Sequence, residues 1–380
     1  MQIAVMDISV DMQLVPHLLR NVAASELRPA QVTRSQRPLP AAKQVSLRYV
    51  SADERGVERK RNGEVFVYLD GTGRRVRARL LLARIASLAI PPAWEKVWIC
   101  STADGHIQAH GRDARGRKQY RYHPDWRRAR DETKYEELAP FAQALPRLRA
   151  SLERDLALPG LPKRKVIAAI VRLLEETRIR VGGDQYAREN NSFGLTTLRD
   201  RHARFGGDAL EFRFRGKSGV SHAIAVTDRR LAKIVKRCQD VPGQRLFQYE
   251  DERGRFHPVT STDVNAYLAR TMRAPFTAKV FRTWAATVGA AMLLACAEPA
   301  SSAAHGRRVV KAASENVAQY LGNTATICRN SYIHPIVVHA YFAGTLQDHM
   351  RDCLSLATKS RPRHLEVSEH AVVRLFERLC

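Results

Sequence analysis

The sequence predicts an α+β fold in two parts: a β-rich N-terminal domain over residues 46–130, and a mainly α-helical domain over residues 131–380 that carries a small antiparallel three-stranded sheet. Three observations predict it. Between residues 47 and 126 the chain runs in short strand-like stretches broken by turn residues. Beyond about residue 130, apolar residues recur at three- and four-residue spacing, the period of a helix with one buried face. Inside that helical stretch one passage returns to β texture, and two of its runs are joined by Gly216-Lys217-Ser218-Gly219, a hairpin signal.

Taken in order, residues 1–45 close in the Pro/Arg/Gln-rich passage RPAQVTRSQRPLPAAKQ, which has no period and reads as a poorly ordered leader. Acidic Asp7 and Asp11, with no basic stretch leading into an apolar run, give no expectation of a secretory signal. In VFVYLDGTGRRVR, Asp70-Gly71 stands between two β-rich segments as a hairpin turn; VWICSTADGHIQAHG repeats the design at Asp104-Gly105. A helix is expected at LLLARIASL. LPRLRASLERDLAL, KRKVIAAIVRLLEETRIR, STDVNAYLARTMR and WAATVGAAMLLACA read as helices of the second domain. SFGLTTL, ALEFRFR and SHAIAVT read as the three strands of its sheet, and RPRHLEVSEHAVVRLFERLC as an amphipathic C-terminal helix.

Charge narrows the partner. The 380 residues hold 63 Lys and Arg against 38 Asp and Glu, a net charge of +25, while 44% hydrophobic residues supply a core. A folded surface this basic repels itself unless a polyanion is near, which leaves nucleic acid or an anionic membrane surface. The longest apolar stretch, residues 284–297, is shorter than the roughly 20 residues a span needs. The six cysteines show no CxxC and no zinc spacing. The expectation is a reduced, metal-free, cytoplasmic protein that binds nucleic acid and does not span a membrane.

Five segments carry residues suited to chemistry on a phosphodiester. Residues 111–130, GRDARGRKQYRYHPDWRRAR, hold eight Lys and Arg interleaved with Tyr120, Tyr122 and Trp126, cations for phosphates and flat rings for sugars and bases. Tyr120 and Tyr122, two apart, fall on one strand face. In ETRIRVGGDQY, Arg180 ends a helix and Gly182-Gly183 reads as its C-cap. Lys217 stands at a glycine-flanked hairpin tip, where a general acid can meet a leaving oxygen. In AKVFRTWAAT, Lys279 and Arg282 share a helix face. YLGNTATICRNSYIHP holds Asn323, Arg329, Tyr332 and His334. Each has an ordinary structural explanation taken alone.

Together and in this order, Arg180, Lys217, Arg282, Asn323 and Tyr332 resemble the catalytic pentad of type IB DNA topoisomerases in their compact poxvirus and bacterial form. The resemblance covers about residues 46–345 and includes IPPAWEKVWIC, GHIQAHGRDARGRKQYRYHPDW, GLTTLRDRH, RGKSGVSH, KVFRTW and LGNTATICRNSYIHP. It implies a bilobed clamp on duplex DNA that relaxes supercoils of either sign by transient single-strand cleavage and religation, without ATP, metal or other cofactor, as a monomer with no obligate protein partner. Tyr332 matches the nucleophile that forms a 3′-phosphotyrosyl bond, Lys217 the general acid, and Arg180 and Arg282 the two phosphate arginines. Asn323 stands where the viral and eukaryotic enzymes keep a histidine, a departure that some bacterial relatives share; its amide NH2 still donates a hydrogen bond. Gln119 and Tyr120 match DNA-contacting positions of the first domain and Tyr186 one of the second. Arg117, Lys118 and Lys279 join them as expected DNA contacts.

Two other readings compete. A site-specific tyrosine recombinase shares the Arg/Lys/Arg/Tyr chemistry, but places a histidine where this chain has Lys279, and the first domain lacks the helical look of an integrase. A non-enzymatic architectural DNA-binding protein would use the charge alone, leaving five competent positions without a purpose.

Overall fold

The computed structural model describes residues 46–51, 54–207 and 209–379; the expected leader over residues 1–45 lies outside the described residues. The first domain is a five-stranded antiparallel sheet. Strands β1 (Val57–Asn62) and β2 (Val65–Leu69) are followed by helix α1 (Arg79–Ser87), then β3 (Glu95–Ile99), β4 (Ile107–Arg112) and β5 (Lys118–Tyr122), in the spatial order β2-β1-β3-β4-β5. Val57, Ile85, Val97, Ile99 and Ala109 form its core, closed by Leu81 and Trp94.

Asp104-Gly105 lies in the turn between β3 and β4 as the sequence predicts. Asp70-Gly71 does not join two strands. The hairpin partner of β2 is β1, paired from Glu58 with Leu69 to Asn62 with Val65 across a tight turn in which Gly63 has φ +61°. Asn62-Gly63 is the dipeptide such a turn favours. Residues 70–74 instead form an Asx turn in which Asp70 Oδ1 accepts from the Thr72 and Arg74 amides, leaving one bridge, Leu69 with Arg75.

Helix α2 (Pro124–Glu136) leaves the sheet and runs through residue 130, where the change of domain is expected. It leads into α3 (Leu138–Leu156), α4 (Lys163–Thr177) and α5 (Asp184–Asn190). The small sheet follows as β6 (Ala203–Gly206), β7 (Ala209–Arg215) and β8 (Ser221–Val226). After α6 (Arg229–Gln239) comes the short pair β9 (Gln248–Glu250) and β10 (Phe256–Pro258), which the sequence reading lacks. Helices α7 (Ser261–Met272), α8 (Ala278–Cys296), α9 (Ala303–Leu321), α10 (Ala325–Ser331), α11 (Pro335–Phe342), α12 (Leu346–Lys359) and α13 (Val367–Leu379) complete the chain.

The second core is built around α4, whose apolar residues from Val166 to Leu174 are almost all buried. Phe141 of α3 meets the edges of Phe276 and Phe281 at 5.4 and 4.9 Å, fastening α3 to α8. Helix α13 confirms the expected C-terminal helix and packs with α12 against α3 and α8. Its Glu369 accepts two hydrogen bonds from Arg149, at 2.6 and 2.9 Å, and one from Trp284 Nε1 at 3.0 Å. No helix among the described residues is long and apolar enough to cross a membrane; the apolar run of 284–297 is the C-terminal part of α8 and its C-cap.

One expected strand is absent. SFGLTTL forms a single 3-10 turn, Leu195–Thr197, and the first strand of the small sheet is β6. The backbone of this turn is spent elsewhere: the Leu195 and Thr196 amides donate to the carbonyls of Arg180 and Val181, at 2.9 and 2.8 Å.

Candidate active site

The pairing of residues 195–196 with 180–181 fixes the first arginine. Gly194 lies so close to this segment that a β-carbon on it would sit 2.4 Å from the Arg180 carbonyl oxygen, so no larger residue fits. Arg180 itself lies past the helix end. The C-cap of α4 is Arg178, in the left-handed region at φ 57°, and Gly182-Gly183 is not the cap. Gly182 has φ +92° and Gly183 is the N-cap of α5. The glycines thus serve a turn that aims Arg180 inward and starts the helix bearing Tyr186.

Arg282 emerges from the first turns of α8 and is only 5% exposed. Its guanidinium donates to the carbonyl of Arg178 and, at 2.6 Å, to that of Leu321. These two carbonyls belong to the ends of α4 and α9, where helix dipoles favour a cation. Burial, and then the neighbouring Arg180, push Arg282 down to about 10. Its Nε is buried without a hydrogen-bond partner.

Arg180 Nη2 donates to Asn323 Oδ1 at 2.8 Å. An arginine has only donors to offer, so the amide must turn its oxygen toward it. That leaves Asn323 Nδ2 buried and unpartnered. Asn323 follows Gly322, the left-handed C-cap of α9 at φ 60°.

Tyr332 caps α10, and Arg282 Cζ lies 5.4 Å from its ring centroid. Burial is the largest influence on the phenol and raises its pKa; the nearby charges of Arg282 and Arg180 outweigh it and bring the phenol below its ordinary value. The backbone on either side is pinned. Thr287 Oγ1, on the helix that carries Arg282, donates to the Tyr332 carbonyl at 3.2 Å and accepts from the His334 amide at 3.1 Å. Sequence reasoning missed Thr287; its one legible signal is a hydroxyl in the apolar run WAATVGAAM.

Lys217 occupies the exposed tip between β7 and β8, where Ser218 takes φ 64° and the Gly219 amide donates to Gly216 O at 3.0 Å. Arg180, Lys217 and Arg282 line one cavity of about 560 Å³ with His222, Tyr320 and Gly322. Glu176 is on its wall, its carboxyl raised to about 7 by burial and then by Asp228. His222, between two arginines and a lysine, is a second residue the sequence reading overlooked.

The expected DNA contacts form two groups. Arg117, Lys118, Gln119 and Tyr120 lie on or beside β5, the edge strand of the first sheet. Tyr120 and Tyr122 stack at 5.8 Å, on one face as expected. Gln119 Nε2 and the Arg117 guanidinium are both held by Asp113, at 2.9 and 2.8 Å. The hydrogen bond to Asp113 raises Arg117 above its usual value, and Tyr186 of the second domain adds to the effect. Lys279 stands in the first turn of α8, three residues before the buried Arg282; desolvation, then Arg130 and Lys134, hold its ammonium below its usual value.

Comparisons with known proteins show the family of the chain. The model of the eukaryotic DNA topoisomerase I catalytic core matches residues 123–344, and that of the bacterial DNA topoisomerase IB N-terminal domain matches residues 65–113. The DNA topoisomerase 1B of Acanthamoeba polyphaga mimivirus is 30% identical over 294 residues, 75% of this chain and 87% of the relative. The DNA topoisomerase I of monkeypox virus is 21% identical over 226 residues, 59% of this chain and 68% of its own length. Vaccinia virus DNA topoisomerase 1B is 25% identical over 146 residues, 38% of this chain and 46% of its own. The first family model spans more than half of the chain and takes in every member of the arginine, lysine, asparagine and tyrosine set: the protein belongs to the type IB DNA topoisomerases, enzymes that relax supercoiled duplex DNA through a transient phosphotyrosyl break.

Proposed function

We propose that Tyr332, Arg180, Lys217, Arg282 and Asn323 are the catalytic set of this topoisomerase. The observation that carries the assignment is a pair of buried donors with nothing to donate to, Asn323 Nδ2 and Arg282 Nε, in the neighbourhood of Tyr332. Unpaired buried donors are costly, and an anion that accepts from them removes the cost. A phosphodiester does so with its two non-bridging oxygens.

The chemistry follows from the charges. The phosphate resists a nucleophile because its oxygens are anionic; Arg180 and Arg282 neutralise them as charge builds in the transition state. The same arginines ease the loss of the Tyr332 proton to solvent water, so the phenolate attacks phosphorus and a 3′-phosphotyrosyl bond forms as the bond to the 5′-oxygen breaks. Lys217 Nζ gives its proton to that oxygen. Ester energy is kept in the protein–DNA bond, so religation consumes no ATP. While the 5′ end is free, it rotates and relaxes supercoils of either sign.

Binding is the work of both domains. Arg117, Lys118, Gln119 and Tyr120 grip one face of the duplex, and Tyr186 with Lys279 meet it from the other side, closing a clamp. The basic, monomeric chain works on nucleoid DNA in the cytoplasm, its +25 charge serving that polyanion. In the test, supercoiled plasmid is relaxed in EDTA without ATP, and Tyr332→Phe neither relaxes it nor leaves a denaturation-resistant adduct. An adduct formed by the Phe variant would reassign the nucleophile. Inactivity of wild type on plain plasmid would return the recombinase reading.

A further inference from the structure

His222 stands on β8 behind the lysine hairpin, and its ring lies nearly flat on Phe214, with centroids 5.1 Å apart and planes 22° apart. Two glycines make room for it. A β-carbon on Gly216 would sit 2.6 Å from His222 Nε2, and one on Gly322 would sit 2.6 Å from His222 Cε1. Gly216 has φ −94°, a conformation any residue adopts, so the ring and not the backbone requires glycine there. Gly216 immediately precedes Lys217; Gly322 immediately precedes Asn323. One imidazole therefore fills the gap between the base of the lysine hairpin and the turn that presents the asparagine. It adds no charge to a crowded cationic site, because burial, then Arg180 and Arg282, hold it below its ordinary pKa.

We propose that His222 is a positioning residue for Lys217: its ring is the spacer that seats the hairpin against the Asn323 turn, holding the proton donor in register with Arg180 and Arg282. The inference rests on the reading of Lys217 as general acid. Without the spacer the hairpin tip drifts, and proton delivery to the 5′-oxygen suffers while phosphate binding does not.

Two substrates separate this from a general structural role: a duplex with the natural 5′-bridging oxygen at the scissile phosphate, and one with sulfur there. A thiolate leaves without a proton, so any defect in proton delivery vanishes on sulfur. Single-turnover cleavage by His222→Ala and by Gly216→Ala, whose new methyl displaces the ring, is expected to fall by about 10-fold or more on oxygen. On sulfur both recover to within about 3-fold of wild type, with DNA affinity unchanged throughout. Added to Lys217→Ala, His222→Ala costs nothing further on oxygen, because the two act through one proton. Equal losses on both substrates, or no loss on oxygen, overturn the proposal. If the space left by His222→Ala unfolds the chain, Gly216→Ala carries the test. Lys217→Ala is the control: its failure to recover on sulfur would refute the general-acid reading, whereas recovery of Lys217→Ala alone would refute only the role of His222.

Discussion

At Tyr332 the protein solves two problems with one helix. Helix α8 supplies Arg282, which lowers the phenol's pKa, and Thr287, which ties the backbone on both sides of the tyrosine. Thr287→Val keeps the shape and removes both hydrogen bonds. Single-turnover cleavage should fall about 10- to 100-fold with DNA affinity unchanged, and Thr287→Ser should restore it. Two residues on, His334 packs between Tyr135 and Phe376, with ring centroids 5.0 and 4.8 Å away, and burial pushes its imidazole down to about 4. The unfolded chain binds a proton there below about pH 6.5 and the native one does not, so stability is lost as pH falls from 6.5 toward 4. His334→Asn keeps an N-cap and should flatten the dependence of the urea midpoint on pH across that window. Cys328, four residues before Tyr332, is fully buried and raised to about 11 by that burial; it stays a thiol, out of reach of the thiolate chemistry that oxidants exploit.

Elements differ in how openly the sequence declares them. Helices α3, α7, α8 and α13 bury one broad face and the central α4 nearly all of its surface, and the helical spacing of apolar residues records this in the order of side chains. The turn at 195–197 does not: its apolar and β-branched residues look like a strand, yet its amides serve the Arg180 segment, a partner distant in space that no local pattern encodes. Strand β1, VERKRN, is missed for the opposite reason, since its charged residues hide a strand held by β2 and β3 on either side. The candidate site was legible as residue types in order. What was not legible was its support, Thr287, His222 and the Glu369 anchor, because each acts through a contact far along the chain. Glu369 shows the energetic weight of such contacts. It holds Arg149 and Trp284 together at the back of α8, and Glu369→Ala leaves a buried guanidinium short of partners, with Glu175 remaining. The expected loss is about 3 kcal/mol in a urea titration.

For the whole molecule, charge divides into grip and rate. The cations of residues 111–130 lie mainly on and around the edge strand β5 and the start of α2, and on the proposed reading their contribution to affinity is released counterions. Substituting Arg117 or Lys118 by Ala should weaken DNA binding and lower the slope of log affinity against log salt by about 0.9 for each phosphate no longer neutralised. Arg180→Ala and Arg282→Ala should slow adduct formation far more than they weaken binding, as measured on one duplex at one salt concentration. The two measurements together separate the surface proposed to hold DNA from the pair proposed to activate it.

Helix α2 limits how such a clamp can open. Near its start, Trp126 is seated against His106 of the first domain, with ring centroids 4.8 Å apart; near its end, Tyr135 is seated against His334 of the second. The rod is bolted to both bodies. A hinge must therefore fall within the about two and a half turns between those rings, or pull one of them from its seat. Either motion breaks helical hydrogen bonds or ring contacts, so a swing of the first domain away from the second is an uphill excursion for the free protein, and one that tugs on the segment carrying Tyr332.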